Sequence, residues 1–344
     1  MAMHKRGERT LLFENGPYVA SSASVVSKNE GDGPLGASFD YVLKDDTFGE
    51  DSFEKAECRM FETAVRTALD KMNCTSDSLD VLLGGDLLNQ LVTANFAARK
   101  LKAPFLGLYG ACSTMAESLL IGSVLIDGGY ADLAACAASS HFSTAERQYR
   151  YPLEMGTTSP PTAQRTVTGA GCLLLANTRA EKAVFRRIRV RAATIGRVVD
   201  LGITDAANMG AAMAPAACDT ISAHLKDLSR TPGDYDLIVT GDLGNFGTEA
   251  LNALCAKQSV DLSGRHLDCG NLMFHPEQKF NCGGSGCGCS SVTLASFLLD
   301  KIENGSCRRM LFLATGALLS PTSTMQGESI PGIAHAIVLE REEN

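Results

Sequence analysis

Hydrophobic and polar positions along the chain repeat in two blocks, and this repeat predicts the fold. Residues 80–87 form an apolar run that ends in Gly-Asp-Leu, and a similar run occupies residues 236–243, 156 residues further on. A short apolar run that ends in Gly and Asp is typical of a buried strand leading into a turn. Before each run, apolar residues recur at a spacing of three to four, which predicts an amphipathic helix. These helix positions match at the same offset: Val65, Leu69 and Met72 against Ile221, Leu225 and Leu228.

A second repeated block contains a cysteine. Cys112-Ser113 matches Cys289-Ser290 at an offset of 177, and each pair precedes a helical pattern and then an apolar strand. Because this offset exceeds the first by 21, we expect an insertion of 21 residues in the second half before Cys289. Strands that alternate with helices in two similar units predict a duplicated α/β protein. We expect an N-terminal half over residues 1–180 and a C-terminal half over residues 181–344, with two mixed sheets related by a pseudo-two-fold axis.

The turn at residues 110–113, Gly-Ala-Cys-Ser, carries the main candidate chemistry. It lies between a short apolar run and a helical pattern that begins at Met115, so Cys112 is predicted on a tight strand-to-helix turn. The N-terminus of a helix favours a thiolate, and its unpaired N–H groups also form an anion site. The turn therefore suits either a nucleophile or a binding cradle, and the spacing alone leaves both open.

Composition and charge narrow the classes of function. The chain has 344 residues and a net charge of −8, so nucleic acid is an unfavourable partner. No apolar run approaches the length that spans a bilayer, and residues 1–10 are polar, so we expect a soluble chain of cytosolic type. The 12 cysteines are scattered through apolar segments, which favours reduced, buried thiols. The spacing of Cys282, Cys287 and Cys289 is not a common zinc pattern, so we expect neither a metal nor a cofactor.

Seven longer stretches resemble one family, the stage V sporulation protein AD family of spore-forming bacteria, which has the thiolase fold. The resemblance covers nearly the whole chain and is far more specific than a short motif. The stretches are GDLLNQ (85–90), NFAAR (95–99), GLYGACSTM (107–115), SSHFSTAERQ (139–148), NMGAAMAPAA (208–217), GGSGCGC (283–289) and LLSPTS (318–323).

The resemblance implies a binding protein for dipicolinic acid, with or without calcium, that takes part in the uptake of calcium dipicolinate into the developing spore and, as a second role, in its release in germination. It implies a peripheral position at the inner spore membrane, held by other membrane proteins of the same transport assembly. Because proteins of the thiolase fold usually dimerise through the first-half sheet, it also implies a homodimer with two-fold symmetry.

The alternative is an acyltransferase of the thiolase or ketoacyl-synthase type that uses Cys112 as its nucleophile. Such enzymes also need a histidine from the second half, and in thiolases it lies in a Gly-His-Pro motif. Here the matching stretch reads Gly284-Ser285-Gly286, and the late Cys-Gly-Gly motif of thiolases is also absent. A thiolate without a base performs condensation chemistry poorly, so the resemblance favours a binding protein over an enzyme.

Dipicolinate is a flat ring with two carboxylates, so a site for it needs paired cations or N–H donors and an apolar slot. Arg147 and Arg165 lie in the long loop 139–165, for which ordinary ion pairs are the alternative. His141 lies at the end of the preceding strand, where either a ligand contact or a buried structural role is expected. The predicted ligand-binding residues are Cys112, Ser113, His141, Arg147, Arg165, Asn89, Ser285 and Ser320.

Overall fold

Most of the strands form one large mixed sheet, and a separate two-stranded sheet lies beside it. The computed structural model describes residues 4–149, 159–177, 183–185 and 187–343. Its strands are β1 (Lys5–Arg6), β2 (Thr10–Leu12), β3 (Tyr18–Val26), β4 (Tyr41–Val42), β5 (Val81–Gly85), β6 (Phe105–Gly107), β7 (Leu133–Ser140), β8 (Arg165–Thr166), β9 (Gly169–Ala176), β10 (Ile188–Thr194), β11 (Leu237–Thr240), β12 (His266–Asp268), β13 (Gly284–Ser285), β14 (Arg309–Ala317) and β15 (Gly332–Arg341).

Helices cover both faces of these strands. They are α1 (Lys28–Gly31), α2 (Phe53–Asp70), α3 (Val92–Leu101), α4 (Thr114–Asp127), α5 (Phe142–Tyr149), α6 (Met209–Leu228), α7 (Gly244–Lys257), α8 (Cys269–Met273), α9 (Cys287–Thr293), α10 (Leu299–Glu303) and α11 (Pro321–Met325). A π-helical turn over Leu294–Leu298 joins α9 to α10.

The strand order repeats between the two halves of the chain. The first half is ordered β3-β9-β7-β5-β6, and the second half is ordered β10-β15-β14-β11-β12. In each half two neighbouring pairs are parallel and two are antiparallel, as the mixed pattern predicts. The predicted α/β fold is confirmed, with one difference in the sheets. They are joined edge to edge, because Tyr18 of β3 pairs with Arg189 of β10.

Helices α4 and α9 lie between the two halves. Helix α4 contacts β5 and β7 of the first half and β14 and β15 of the second. Helix α9 in turn contacts β7 and β9 as well as β14. Because both helices have sheet on two sides, nearly every residue of α9 and most of α4 are buried. Cys112 and Ser113 immediately precede α4, so this arrangement places the turn deep between the halves.

The two halves differ most in the segment before these central helices. Only residues 108–113 separate β6 from α4, whereas residues 269–286 separate β12 from α9. The longer segment includes β13, which pairs in parallel with β8 of the first half. The loop predicted over residues 139–165 is partly regular, since its start belongs to β7 and to α5; residues 150–158 lie outside the described residues. The predicted boundary between residues 180 and 181 also lies outside them.

Candidate functional site

A cleft lies between the two halves at the start of α4. Its volume is about 430 Å³ when the open mouth is included. Elements of both halves form its wall: the turn before α4, helix α5, the end of β14 and the β13 segment. The lining residues are Leu87, Tyr109, Ala111, Cys112, Ala145, Glu146, Tyr149, Thr166, Met209, Ser285, Gly286, Ala317 and Leu319.

The turn that carries Cys112 is held rigidly. Ala111 has a φ of 49°, a left-handed conformation that is uncommon for a residue with a side chain. Ser113 Oγ donates to the Gly110 carbonyl at 2.7 Å, and Thr114 Oγ1 donates to the Ala111 carbonyl at 2.7 Å. Gly316 of β14 passes so close that a Cβ there would lie 2.4 Å from the Gly110 carbonyl oxygen. The backbone on both sides of Cys112 is therefore fixed by the second half as well as by its own turn.

The surroundings of the Cys112 thiol oppose the thiolate that the helix terminus was expected to favour. The side chain is buried, and burial raises its pKa well above the ordinary value, with Asp242 raising it further. The thiol donates a hydrogen bond to the Asp242 carboxyl group. A carboxylate in contact with a buried thiol opposes a second negative charge, and this outweighs the partial charge of the helix terminus.

Asp242 is the buried centre of a small polar network. Thr315 Oγ1 donates to one carboxylate oxygen at 2.7 Å, and the Gly286 N–H donates to the other at 2.9 Å. Burial raises the pKa of Asp242 to about 7, against the lowering effect of these hydrogen bonds. The network joins β11, β14 and the β13 segment directly beneath Cys112.

No histidine lines the cleft among the residues that the structure describes. His141 is fully buried beside Phe53; its Nε2 is 2.8 Å from the Asp46 carbonyl, and its Nδ1 accepts the Ser143 N–H at 3.1 Å. Burial lowers the pKa of His141, and both ring nitrogens are engaged by these contacts. His335 accepts the Gly196 N–H, and burial lowers its pKa to about 4. Neither ring is placed to take a proton from Cys112.

The comparisons with known proteins identify the family. The model of the family described as "Stage V sporulation protein AD" matches residues 7–340. The chain belongs to the stage V sporulation protein AD family. The protein of that name from Bacillus subtilis (strain 168) is 47% identical over 339 residues, which are 98% of each chain. The predicted family is confirmed, and family membership supports a role in sporulation.

Solved structures confirm the thiolase-type fold of this family member. The chain is similar to 3-oxoacyl-[acyl-carrier-protein] synthase III from Aquifex aeolicus VF5, at 14% identity and a TM-score of 0.57, with 94% and 100% of the two chains covered. It is also similar to human mitochondrial 3-ketoacyl-CoA thiolase, at 15% identity and a TM-score of 0.59, with 95% and 99% covered. At this identity the likeness concerns the fold alone.

The two predicted arginines lie outside the cleft lining. Arg147 is half exposed and forms an ion pair with Glu54 on the surface. Arg165 packs against two phenylalanine rings, with its guanidinium carbon 3.8 Å from the centre of Phe142 and 4.4 Å from that of Phe280. Its Nε is buried without a hydrogen-bond partner. Phe280 belongs to the longer second-half segment, so the stacking depends on a contact 115 positions away along the chain.

The remaining predicted residues divide into two groups. Ser285 lines the cleft together with Cys112, and its Oγ is buried without a hydrogen-bond partner. Ser113 is adjacent, but its hydroxyl is bonded within the turn. Asn89 is exposed, and its backbone N–H donates to Gln148; Ser320 lies just before α11. The structure therefore brings Cys112 and Ser285 together and leaves Asn89 and Ser320 outside.

Several cleft residues were not predicted. Tyr109 and Tyr149 place their hydroxyls 3.0 Å apart, and Tyr149 also donates to the Leu87 carbonyl. Tyr109 is three residues from Cys112, so its position beside the turn was the available signal. The match of Asp242 to Asp86 in the sequence repeat indicates a turn residue at both positions, because each aspartate follows a glycine at the end of an apolar run. Asp86 does stabilise the turn between β5 and α3, because its carboxylate accepts hydrogen bonds from the N–H groups of Leu88 and Ala94.

The described residues contain neither a metal-binding cluster nor a membrane-spanning helix. Within the described ranges, no group of three or more His, Cys, Asp or Glu side chains is arranged to hold a metal ion. Cys282, Cys287 and Cys289 are buried free thiols. No helix in the described part of the chain combines the length and the hydrophobicity that crossing a membrane requires.

Proposed function

We propose that the chain binds dipicolinate in this cleft as its neutral calcium complex, without transforming it, and so takes part in uptake into the developing spore. The carrying observation is the position of Cys112 in the cleft wall, where burial and the neighbouring Asp242 raise the pKa of its thiol. A nucleophile needs the thiolate and a base, and no histidine lines the described cleft. The turn that carries the nucleophile in condensing enzymes is present here, but the groups that would activate its cysteine are not among the described lining residues.

The charge of the lining supports the calcium complex as ligand. Glu146 is the one charged residue among the described lining residues, and Asp242 beneath the wall is partly ionised near pH 7. A free dianion would meet these acidic groups in a lining that contains no Lys or Arg among its described residues. Calcium dipicolinate carries no net charge, and calcium prefers carboxylate oxygens such as those of Glu146.

The shape and polarity of the walls support a flat ring. Tyr109, Tyr149 and Leu319 provide apolar and aromatic surface, on which an aromatic ring gains both burial and stacking energy. The unpartnered Ser285 hydroxyl is free to donate to a ligand oxygen. A buried hydroxyl without a partner costs free energy, and a ligand carboxylate would remove that cost.

Isothermal titration with calcium dipicolinate tests the proposal. The Ala145→Leu variant fills the cleft from α5, and we expect it to weaken binding at least tenfold. Ser285→Ala removes the free hydroxyl and should weaken binding about tenfold, which corresponds to about 1.4 kcal/mol. Ala256→Leu makes the same change at an exposed position of α7, far from the lining, and should bind like the wild type. Absence of binding by the folded wild-type protein would refute the proposal.

We further propose a homodimer through the first-half sheet. Strand β6 ends the strand path, and Leu106 on it is 50% exposed, next to Phe96 and Tyr109, which are also exposed. An uncovered edge strand with apolar side chains favours pairing with a second copy. Sedimentation should give a dimer that Leu106→Lys converts to a monomer, while Tyr130→Lys, at another exposed apolar position, leaves it intact. A wild-type monomer contradicts this arrangement.

The proposed partners within the cell are the membrane proteins of the same transport assembly. These contacts would hold the chain at the periphery of the inner spore membrane. Fractionation of spores with and without those partners tests the proposal, and retention at the membrane in their absence would refute it.

A further inference from the structure

Two cysteines of the second half lie against each other between α6 and α7. The Cys255 thiol on α7 donates to the Cys218 sulfur on α6, and the two sulfur atoms are 3.5 Å apart. Both are free thiols, and both side chains are buried. Neither residue lines the cleft, so the pair is separate from the site described above.

Helices α6 and α7 run side by side in a constant register. Gly210 of α6 packs on Gly247 of α7, and a Cβ at Gly210 would lie 2.9 Å from the Gly247 nitrogen. Cys218 and Cys255 each follow these glycines by eight residues, so the same register brings the two cysteines together. The glycines let the two backbones approach closely, which is a condition for bridging cysteines of neighbouring elements.

The pair lies near the exposed edge of these two helices. Ser222 Oγ, one turn after Cys218 on α6, donates to the exposed Gln258 side chain at 2.6 Å. Helix α7 ends at Lys257, so Cys255 belongs to its last turn. Terminal helical turns open locally at low free energy, and a small oxidant can then reach a thiol that is buried in the closed state.

The contact also makes the two thiols unequal. The hydrogen bond from the Cys255 thiol lowers the pKa of Cys218, whereas the same contact raises the pKa of Cys255. At Cys136 and Cys172, by contrast, burial raises the pKa. Since the thiolate is the form that attacks a peroxide, Cys218 is the attacking residue of the pair and Cys255 the resolving one.

We propose that Cys218 and Cys255 form a reversible redox site that hydrogen peroxide oxidises to a disulfide. The Cys218 thiolate attacks one peroxide oxygen, the O–O bond breaks, and the products are a sulfenic acid and, with the proton that Cys218 gave up, one water. The Cys255 sulfur then attacks the sulfenic sulfur, so that the S–S bond forms and the S–O bond breaks. The hydroxide leaves as a second water with the Cys255 proton. Two thiols and one hydrogen peroxide thus give one disulfide and two waters.

The disulfide would restrain the second half of the molecule. It joins positions 37 apart along the chain, and closing a loop in the unfolded state stabilises the folded state. Helix α6 also packs on β14 and β15, so the link acts on the sheet as well as on the two helices. We expect the oxidised protein to melt about 5 °C higher than the reduced protein, and a dithiol reductant to reverse the increase.

Peroxide treatment followed by mass analysis tests the site. The oxidised wild-type protein should lose about 2 Da and give, without reductant, a linked pair of peptides that contain Cys218 and Cys255. Cys218→Ser and Cys255→Ser should each abolish this linked pair. Cys74→Ser is the control, because Cys74 is the one described cysteine that is not buried; this variant should form the linked pair as the wild type does.

Exposure and pairing predict opposite results. If exposure alone governed oxidation, Cys74 would react while Cys218 and Cys255 stayed reduced. That result would overturn the proposal, as would a folded, peroxide-treated wild-type protein without the linked peptides. A link that lowered the melting temperature would also overturn it, because the thiols would then not be held in position for bridging. These measurements on the wild-type protein decide the question even where a serine variant fails to fold, and they are independent of ligand binding in the cleft.

Discussion

Replacing Asp242 with asparagine removes the charge beneath Cys112 at nearly constant shape. In the wild-type protein the carboxyl group accepts hydrogen bonds from the Cys112 thiol, the Thr315 hydroxyl and the Gly286 N–H. The asparagine carbonyl can keep one of these bonds, while its NH₂ group meets a donor. We therefore expect the variant to lose about 1–3 kcal/mol of stability, the cost of an unmade buried hydrogen bond.

The same substitution should make the Cys112 thiol more reactive. Two unit charges about 4 Å apart repel by about 4 kcal/mol at the effective dielectric near a protein surface. Asp242 has a pKa of about 7, so it is largely ionised at pH 8 and opposes the thiolate there. If only a third of that repulsion is relieved, ionisation becomes easier by about 1.4 kcal/mol, which is tenfold. Alkylation of Cys112 at pH 8 should accelerate at least tenfold.

The assay is iodoacetamide labelling followed by peptide mass spectrometry at Cys112. Asp268→Asn is the matched control, because Asp268 is an equally buried aspartate that accepts the Leu243 and Gly244 N–H groups instead of the thiol. The control should lose stability without faster labelling. Equal labelling rates in folded Asp242→Asn and wild type would refute the electrostatic account of the suppressed nucleophile.

Three further predictions address the site and the fold. Incubation of the wild-type protein with acyl-CoA should leave its intact mass unchanged, whereas a stable adduct lost in Cys112→Ala would favour the acyltransferase alternative. Burial raises the pKa of Glu57, on α2, to about 8 and that of Asp242 to about 7. The stability that each carboxyl group contributes is therefore lost as the pH rises from its pKa in the unfolded chain to its pKa in the folded protein. Burial lowers the pKa of His335 to about 4, so this residue costs stability only as the pH falls below about 6.5. Above that pH the two carboxyl groups dominate, and scanning fluorimetry should show a melting temperature that falls from pH 6.5 to 8.5. A rise over this range would contradict the prediction. Gly316→Ala should destabilise by about 1–3 kcal/mol through its clash with the turn, measured by urea unfolding, and an unchanged midpoint would count against the close approach.

The repeated fold was predictable because its signal is local. Residues 81–85 are apolar in sequence and buried in the structure, and the matching strand Leu237–Thr240 is buried except for the partly exposed Leu237. Because the pattern of apolar strands and helices is similar in the two halves, the strands of each half are arranged in the same order. Contact between the sheets could not be predicted in this way, because it depends on the single pairing of Tyr18 with Arg189, two residues far apart in the chain.

The site was predicted only where its residues adjoin a turn. Cys112 and Ser285 were found because each lies in a glycine-rich turn before a helix. The role of Asp242 escaped prediction because its partners are 44 and 73 positions away, and its match to Asp86 indicated the wrong role. Arg165 has the right chemistry for a carboxylate, but the rings of Phe142 and Phe280 pack against its guanidinium. Such shielding is a tertiary property that residue type does not reveal.

The pairing of β8 with β13 and of β3 with β10 ties the two halves together at both the cleft and the sheet. A hinge that opened the halves would have to break backbone hydrogen bonds at these places. The cleft is consequently preassembled, and a ligand enters past side chains such as Tyr109 and Tyr149 while the backbone stays in place. Ordering of the protein therefore costs little of the ligand's binding free energy. Association should proceed in one kinetic step with only a small change in the backbone of the protein.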